Sequence, residues 1–405
     1  MNELKIGIIT FHNAWNSGAV LQCYALKSYL QKLGHKVVII NYCPIYNKEK
    51  YKKYPNLFYS AKKELKKSEV IKFSQMVKAI AYVLRDFYNY RPTSSRLKKK
   101  KFFDDFLEKN FETTILYETI EELRNNPPKL DVYISGSDQV WNPKLTNEII
   151  DEAYFCDFGR SDIKRIGYAI SACQLDTIVE KDKLEKLVKQ FNYLSLREKE
   201  KKDALEKIYG KKIEICLDPT FLLKANNYAA LEEKCPDIKE EYILVYAFDY
   251  KELRAILFEL CKKIEMLTDK SIKVIYGPRK WPYKVDIHYP FNCISPGMFL
   301  TYIKNADVVI TNSFHATTFS IIYEKEFYSL VVPNRGSRVV ELLSNLGLQN
   351  RIVVKNEDIP DSMRDKIDYK EVRKKLEQMK EKSGHYLCNA IYSSESDGRM
   401  DAKRR

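Results

Sequence analysis

The sequence lacks the signatures of several large protein classes. Its nine cysteines are odd in number and never form a C-x-x-C pair, which argues against both a disulfide framework and a zinc site. No apolar run approaches the length that a membrane-spanning helix needs. The first residues lead directly into a short apolar segment, Lys5 to Thr10, rather than into a secretory signal. We therefore expect a cytoplasmic protein without a metal site.

A glycine-rich nucleotide-binding loop is also missing. The chain opens with a predicted strand, Lys5 to Thr10, then a loop of turn-forming residues and a helix from Ala19 to Leu33 that Gly34 closes. A second strand, Val37 to Ile40, completes a βαβ unit that is typical of a Rossmann-like domain. Because the loop has no G-x-G-x-x-G fingerprint, ordinary dinucleotide binding is not predicted.

Lysine, by contrast, is abundant. The 405 residues carry a net charge of +14, and the shares of charged residues (31%) and hydrophobic residues (45%) are typical of a soluble protein with more than one domain. The positive charge either covers a solvated surface or attracts an anionic partner, such as a phosphate-rich ligand or an acidic membrane face. The lysines form no recognition motif for nucleic acid, so we expect no nucleic-acid partner.

The order of strands and helices predicts an α/β chain with two Rossmann-like domains that face a cleft. We place the first domain at residues 1–222 and the second at residues 223–365, followed by a C-terminal helix and a disordered tail over residues 366–405. The strands predicted for the second domain are Tyr242 to Phe248, Ile272 to Tyr276, Val308 to Thr311 and Tyr328 to Val332.

Residues 45–111 interrupt this pattern with a basic helical insertion. Its apolar residues recur three and four positions apart and form one stripe on a predicted helix: Val70, Phe73, Val77, Ile80, Leu84 and Phe87. Lysines surround the stripe, and two interpretations remain open. Either the stripe packs on the Rossmann core, or the insertion lies against an anionic membrane surface and makes the protein peripheral at the inner face of the membrane.

The end of the strand Val308 to Thr311 is a candidate anion site. Asn312, Ser313 and His315 fall where this strand ends and a helix begins. Ligands collect at the carboxyl ends of strands in open α/β sheets, and the unpaired N–H groups of a helix N-terminus favour an anion. His315 is therefore a candidate phosphate contact or proton donor. The alternative is a helix-capping residue without a chemical role.

Five motifs follow one another along the chain: Asn16-Ser-Gly-Ala-Val-Leu-Gln22, Asp131-Val-Tyr-Ile-Ser-Gly-Ser-Asp-Gln-Val-Trp-Asn-Pro143, Leu196-Arg-Glu198, Leu217-Asp-Pro-Thr220 and Thr311-Asn-Ser-Phe-His-Ala316. In this order they resemble the polysaccharide pyruvyl transferase family, and the resemblance extends from residue 5 to about residue 350, apart from the insertion. Two segments depart from the family pattern: Ala172-Cys173-Gln174, where a small turn is more usual, and Ala316, where glycine is frequent.

This resemblance implies a fold like that of the two-domain GT-B glycosyltransferases. It also implies phosphoenolpyruvate as the donor substrate, with no further cofactor, and a sugar of a cell-surface glycan or of its lipid-linked precursor as the acceptor. The product would be a pyruvate ketal that bridges two sugar hydroxyls, and phosphate would be released. In the family an arginine and a histidine hold the donor, and the matching positions are Arg197 and His315.

The residue types suit this chemistry. The planar fork of arginine pairs with carboxylate or phosphate oxygens, although an ion pair of Arg197 with Glu198 or Glu200 is the alternative. Asp138 is the candidate base or acceptor ligand, and a turn or helix cap is its alternative. The remaining candidates for substrate binding are Asn13, Asn16, Gly18, Gln22, Gly136, Ser137, Asn312, Ser313 and Arg335.

Two other functions stay open at this point. The same layout would serve a GT-B glycosyltransferase that uses a nucleotide sugar in surface glycan synthesis. It would also serve a catalytically silent glycan-binding protein of an envelope assembly complex, although the presence of both Arg197 and His315 argues against that function.

Overall fold

The computed structural model describes residues 3–47, 61, 65, 73–90, 94–175, 180–277, 287–290, 294–332, 336–362 and 365–393. Within these ranges the chain forms two six-stranded sheets, and every strand pair in both is parallel. Apolar strands buried on both faces are typical of such sheets, because helices cover each side. The predicted α/β fold with two Rossmann-like domains is confirmed.

The first sheet holds the strands of the N-terminal half in the order β2-β1-β3-β4-β5-β6. Its strands are β1 (Lys5–Ile9), β2 (Lys36–Ile39), β3 (Val132–Ser135), β4 (Lys164–Ile170), β5 (Tyr193–Leu196) and β6 (Glu214–Ile215). The helices of this half are α1 (Ser17–Lys32), α2 (Phe73–Tyr90), α3 (Ser94–Asn110), α4 (Ile120–Asn125), α5 (Lys181–Lys189) and α6 (Lys202–Tyr209).

The second sheet has the order β12-β11-β10-β7-β8-β9. Its strands are β7 (Tyr242–Phe248), β8 (Ser271–Gly277), β9 (Ile287–Pro290), β10 (Val308–Thr311), β11 (Glu326–Leu330) and β12 (Ile352–Val353). The helices are α7 (Arg254–Thr268), α8 (Pro296–Asn305), α9 (Phe314–Ile322), α10 (Ser337–Leu346) and α11 (Tyr369–Tyr392). The sequence patterns did not predict β9 and β12, because both are short edge strands that lack a periodic apolar signal.

The C-terminal helix α11 joins the two domains. Near its start, the Tyr369 hydroxyl donates to the carbonyl of Lys325 in the second domain. Near its end, the Tyr386 hydroxyl donates to the Gly167 carbonyl in β4, at 2.9 Å. The helix, which the sequence predicts within residues 366–405, runs from Tyr369 to Tyr392. The predicted tail after Ser393 lies outside the described residues, and the predicted domain boundaries remain predictions.

The basic insertion contributes one helix to the core and exposes another. In α3, Phe103 and Phe106 are buried in a large apolar cluster that includes residues of both domains. In α2, by contrast, Phe73, Val77, Ile80 and Leu84 are 81%, 50%, 61% and 66% exposed. The interpretation that this stripe packs on the Rossmann core is therefore wrong for these four residues, while Val70 and the side chain of Phe87 lie outside the described part. No helix in the described ranges is both long enough and apolar enough to cross a membrane.

Candidate active site

Each of the two sheets reverses its strand order at one point. In the first sheet the reversal lies between β1 and β3, and in the second it lies between β7 and β10. Crevices at such points, outside the carboxyl ends of the strands, are where open α/β sheets bind ligands. The loops after β3 and β10 carry Gly136 to Asp138 and Asn312 to His315. Topology therefore brings two of the predicted segments to the expected crevice.

Arg197 and His315 come together around a third residue, Asp218. Arg197 directly follows β5, Asp218 follows β6, and His315 lies in the first turn of α9. Nη1 of Arg197 is 2.6 Å from Oδ2 of Asp218, and Nε2 of His315 is 3.5 Å from the same oxygen. The first contact is a charge-assisted hydrogen bond, whereas the second is an electrostatic contact too long for a good hydrogen bond. All three side chains are buried, so this charge cluster is screened little by solvent.

Asp218 is ionised in spite of its burial. Burial alone would raise the pKa of Asp218, but the neighbouring His315 and Arg197 lower it well below its usual range. Its second oxygen, Oδ1, accepts from the backbone N–H of Thr220 at 3.0 Å and from the Thr220 hydroxyl at 2.7 Å. An aspartate before a proline predicts a turn, and the side chain of Asp218 does cap one here. Its contact with the catalytic candidates was missed.

The guanidinium of Arg197 has unused hydrogen-bonding capacity. Burial would lower the pKa of Arg197, but the charges of Asp218 and Glu198 raise it, so the group stays charged. Nη1 contacts Asp218 and, at 3.4 Å, the hydroxyl of Ser137. Nε and Nη2 are buried and have no hydrogen-bond partner among the described residues. The nearest approach of Glu198 is 3.8 Å, so the closest ion pair is to Asp218 rather than to the predicted alternatives.

Glu198 instead organises the segment after β4 that departs from the family pattern. Its Oε1 accepts from the backbone N–H groups of Ala172 and Cys173, at 2.7 and 3.0 Å, and from the Ser171 hydroxyl at 3.0 Å. Burial raises the pKa of Glu198, and the charges of Arg197 and Arg338 oppose that effect. The glutamate thus fixes a loop behind Arg197, which the sequence analysis did not foresee.

Gly18 lets the two domains approach each other at His315. A Cβ atom added at Gly18 would lie 2.2 Å from Nδ1 of His315, so only glycine fits against this ring. Gly18 is in the first turn of α1, and Asn16 caps that helix by accepting from the Ala19 N–H at 3.2 Å. The N-terminal turns of α1 and α9 therefore adjoin, and both helix dipoles favour an anion beside His315.

The loop after β3 is tightly held. Gly136 packs against Thr10 and Ile8, where a Cβ would approach side-chain atoms to 3.2–3.3 Å. The Ser137 hydroxyl is fully buried and donates to the Ala169 carbonyl at 2.9 Å. Asp138 has a left-handed backbone (φ 86°), and its Oδ1 accepts from the adjacent N–H of Gln139 at 2.8 Å. Its charge also helps to raise the pKa of Arg197, so Asp138 lies near the cluster.

Other predicted binding residues are occupied by structural contacts. The amide of Gln22 is fully buried and donates to Thr10 Oγ1 and to the Ala19 carbonyl. The amide of Asn312 both accepts from and donates to the backbone of Phe248. Ser313 caps α9, and Asn13 is half-buried in the loop after β1. Arg335 lies outside the described residues.

Two further groups line the neighbourhood of Arg197. The ring of Phe314 lies between two guanidinium groups, with its centroid 4.5 Å from Cζ of Arg197 and 5.5 Å from Cζ of Arg338. Such cation–π contacts position arginine side chains without consuming their N–H donors. In the described part of the chain, no group of three or more His, Cys, Asp or Glu residues could hold a metal ion.

Comparison with known proteins gives one family match. The family model described as polysaccharide pyruvyl transferase matches residues 16–334. No curated protein is significantly similar to the chain in sequence.

Several solved structures are similar over nearly the whole chain at low identity. The S. aureus MnaA–UDP co-structure is 9% identical, with 97% of this chain and 99% of that chain covered and a TM-score of 0.48. The UDP-GlcNAc 2-epimerase of Methanocaldococcus jannaschii, in complex with UDP-GlcNAc and UDP, is 14% identical, with coverages of 93% and 92% and a TM-score of 0.42. An α-glucosyltransferase in complex with UDP and DNA is 10% identical, with coverages of 95% and 91% and a TM-score of 0.43.

Proposed function

Because the chain belongs to the polysaccharide pyruvyl transferase family, and is thus a transferase, we propose that it moves the enolpyruvyl group of phosphoenolpyruvate onto two hydroxyls of one sugar. The acceptor is part of a cell-surface polysaccharide or of its lipid-linked precursor. The product is a pyruvate ketal, and inorganic phosphate is released. The observation that carries the proposal is the buried, charged Arg197 beside His315, with two guanidinium nitrogens that have no hydrogen-bond partner among the described residues.

The donor is a small molecule with a carboxylate and a phosphate close together. Arg197 Nε and Nη2 offer adjacent donors of the kind that pair with two oxygens of one anion. His315 and the N-terminal turns of α1 and α9 add further positive potential. Asp218 holds Arg197 from the opposite side through Nη1, so the free donors are positioned before the donor substrate arrives.

The reaction needs a proton for the methylene carbon of the donor, after which C2 gains oxocarbenium character and accepts a sugar hydroxyl. Phosphate then leaves, and the second hydroxyl adds to C2 to close the ketal. A phosphate dianion beside His315 favours the charged imidazole, which can bind that phosphate and assist its departure. Asp138, with one carboxylate oxygen not used by the Gln139 N–H, is our candidate to accept a proton from a sugar hydroxyl.

The test is phosphate release from phosphoenolpyruvate in the presence of synthetic or lipid-linked glycosides, together with donor binding by calorimetry. We expect Arg197→Lys and His315→Gln each to weaken donor binding by about tenfold or more. Lysine keeps the charge but loses the planar fork that pairs with two oxygens, and glutamine cannot carry a charge. The matched control is Arg160→Lys. Arg160 is exposed, pairs with Asp162 and does not belong to the cluster of Arg197, Asp218 and His315. Unchanged donor affinity in either site variant would refute the site assignment.

The alternative function has a distinct outcome in the same assay. A GT-B glycosyltransferase would bind a nucleotide sugar and release a nucleotide. Failure to release phosphate with every acceptor, combined with binding of a nucleotide sugar, would therefore refute the pyruvyl transfer reaction in favour of that alternative.

We further propose that the protein works on the cytoplasmic face of a membrane, to which it binds peripherally. The support is the exposed apolar face of α2 together with the net charge of +14. An apolar helix face within a basic segment is the combination that lies in the headgroup region of anionic membranes. A lipid-linked acceptor would be reached there directly.

A further inference from the structure

A cavity of about 380 Å³ opens beside Arg197. Its volume is within the range of about 300–1,000 Å³ that small-ligand sites occupy. Arg197, Asp218 and Phe314 line it together with residues of α10 and α11, among them Arg338. The proposed donor carries two anionic groups, and the free Nε and Nη2 of Arg197 form a fork that suits one of them. The second anionic group therefore needs another cation in this wall.

Arg338 shares an aromatic neighbour with Arg197. Its Cζ is 5.5 Å from the centroid of the Phe314 ring, and Cζ of Arg197 is 4.5 Å from the same centroid. The two Cζ atoms can be no farther apart than the sum of these distances. The ring attracts both positive groups through cation–π contacts, which leave their N–H donors free. A small molecule with an anionic group at each end can therefore contact both guanidinium groups.

Arg338 has no close counter-charge. Among the described residues its guanidinium has neither an ion-pair partner within 4 Å nor a hydrogen-bond acceptor. Glu341, one turn later in α10, is engaged instead by the backbone N–H of Lys199, which donates to its Oε2 at 2.8 Å. Burial raises the pKa of Glu198 and of Cys173, and the charge of Arg338 opposes that rise in both, so the guanidinium acts on the first domain. A half-buried arginine without a partner beside a cavity favours an anion there.

Two lysines of α11, Lys375 and Lys382, also line the cavity, but they suit the second anionic group less well. Nζ of Lys375 donates to the Leu346 carbonyl at 3.3 Å, and Lys382 pairs with Glu214 at 2.9 Å. An ammonium group also offers a point charge, whereas the planar fork of an arginine pairs with both oxygens of a carboxylate. Arg338 is therefore the better match.

Two hydrogen bonds between the domains fix where Arg338 lies. The Ser337 hydroxyl donates to Oε2 of Glu200 at 2.7 Å, and the backbone N–H of Lys199 donates to Glu341 as described above. Both join the first turns of α10 to the loop that follows β5, and in the sequence they lie on either side of Arg338. The arginine of the second domain is thus held against the loop that carries the arginine of the first.

We propose that Arg338 is a second donor-binding arginine, which holds the carboxylate of phosphoenolpyruvate while Arg197 and His315 hold the phosphate. This inference rests on the proposed pyruvyl transfer and adds a specificity-determining residue to it. Because the two arginines come from different domains, the complete donor site exists only where the domains meet. Arg338 lies beyond residue 334, where the family match ends, so that match does not assign it this role.

The test compares, on the full chain, the affinities for phosphoenolpyruvate and for vinyl phosphate, which lacks the carboxylate. Calorimetry measures the first affinity, and competition with phosphoenolpyruvate measures the second. We expect the native protein to prefer phosphoenolpyruvate by about tenfold or more, and Arg338→Gln to abolish that preference, because the contact with the carboxylate is lost. Arg338→Lys should restore part of it, since lysine keeps the charge without the fork. Arg197→Gln should weaken both ligands.

Arg373→Gln is the matched control. Arg373 lies on α11, outside the cavity, and pairs with Glu324 at the surface. This variant loses the same charge and should bind both ligands like the native protein. Because Arg338 holds no other described residue through a hydrogen bond or an ion pair, Arg338→Gln should also keep the melting temperature of the native protein.

Two results would overturn this inference and leave the proposed donor standing. In the first, Arg338→Gln keeps the preference for phosphoenolpyruvate, and another group then holds the carboxylate. In the second, Arg338→Gln weakens both ligands equally, and Arg338 then acts only through its charge on the whole site. A native protein that binds neither ligand would instead refute phosphoenolpyruvate as the donor, and this inference with it.

Discussion

A buried carboxylate between an arginine and a histidine is the centre of the candidate site. Oδ2 of Asp218 lies 2.6 Å from Nη1 of Arg197 and 3.5 Å from Nε2 of His315. Because Arg197 comes from the first domain and His315 from the second, this one oxygen connects them across the domain boundary. A buried ion pair of this kind adds little net stability, but removing one partner leaves the other charge uncompensated.

We predict that Asp218→Asn lowers the free energy of unfolding by about 3–5 kcal/mol at pH 7, because Arg197 then remains buried without its counter-charge. The variant should also change the pH dependence. The pKa of Asp218 is held below its usual range, so its contribution to stability is complete above about pH 4 and is lost as the pH falls further. Urea unfolding between pH 7 and pH 3 should therefore show a shallower acid slope in the variant than in the native protein.

Asp162→Asn is the control for this prediction. Asp162 pairs with Arg160 at the fully exposed surface, where solvent screens such a pair and it contributes little, so the variant should behave like the native protein. An Asp218→Asn variant as stable as Asp162→Asn, with an unchanged acid slope, would contradict the role given to this carboxylate.

The sequence predicted which segments reach the candidate site, but it did not predict what each side chain contacts there. Arg197 and His315 were selected from motifs, and the fold brings them to one cluster. Asp218 was left out because a turn at Asp-Pro explained it fully. Conversely, Gln22 and Asn312 lie in segments that were predicted to bind substrate, but their amides form hydrogen bonds with backbone groups and, for Gln22, with the Thr10 hydroxyl. Such contacts depend on which strands become neighbours, and a single chain pattern does not contain that information.

Among the individual elements, α2 is the one whose exposed surface most needs an explanation. Phe73, Val77, Ile80 and Leu84 lie on one face of the helix at helical spacing, and at least half of each is exposed. Lys78 is exposed on the same helix. The periodicity predicted this helix and its apolar face, but it could not decide what covers that face. That depends on the rest of the chain.

We predict that Ile80→Ser and Leu84→Ser, combined in one variant, weaken binding to vesicles of phosphatidylcholine and phosphatidylglycerol by about tenfold or more. Each isoleucine or leucine buried in the membrane interface contributes about 1.5–3 kcal/mol. Binding of the native protein should also fall steeply as the salt concentration rises, since the lysines attract the anionic lipid through solvent. Cosedimentation with vesicles at several salt concentrations measures both effects.

Met266→Ser is the matched control, because Met266 is 82% exposed on α7 of the second domain. This variant should bind vesicles like the native protein. Vesicle binding that survives the double substitution in α2, or a dimer in solution that the double substitution dissociates, would contradict the membrane assignment.

For the molecule as a whole, the alternation of strands and helices was sufficient to predict two Rossmann-like domains. The strand orders, β2-β1-β3-β4-β5-β6 and β12-β11-β10-β7-β8-β9, are those of parallel sheets whose order reverses once. What the sequence patterns did not indicate is the degree to which the domains share one core. One cluster of buried apolar residues includes Ile8 and Val20 of the first domain, Val309 and Phe327 of the second, and Leu387 of α11.

This shared core predicts that the domains unfold as one cooperative unit. Leu387 is fully buried near the end of α11, and Leu387→Ala should lower the free energy of unfolding by about 2–5 kcal/mol. Because the helix contacts both domains, hydrogen exchange should accelerate in β4 of the first and in β10 of the second by the same factor. His385→Ala, on the exposed side of the same helix, should change neither strand. Faster exchange confined to β4 would instead mean that the first domain opens independently. In that case α11 would not couple the domain that carries Arg197 to the domain that carries His315.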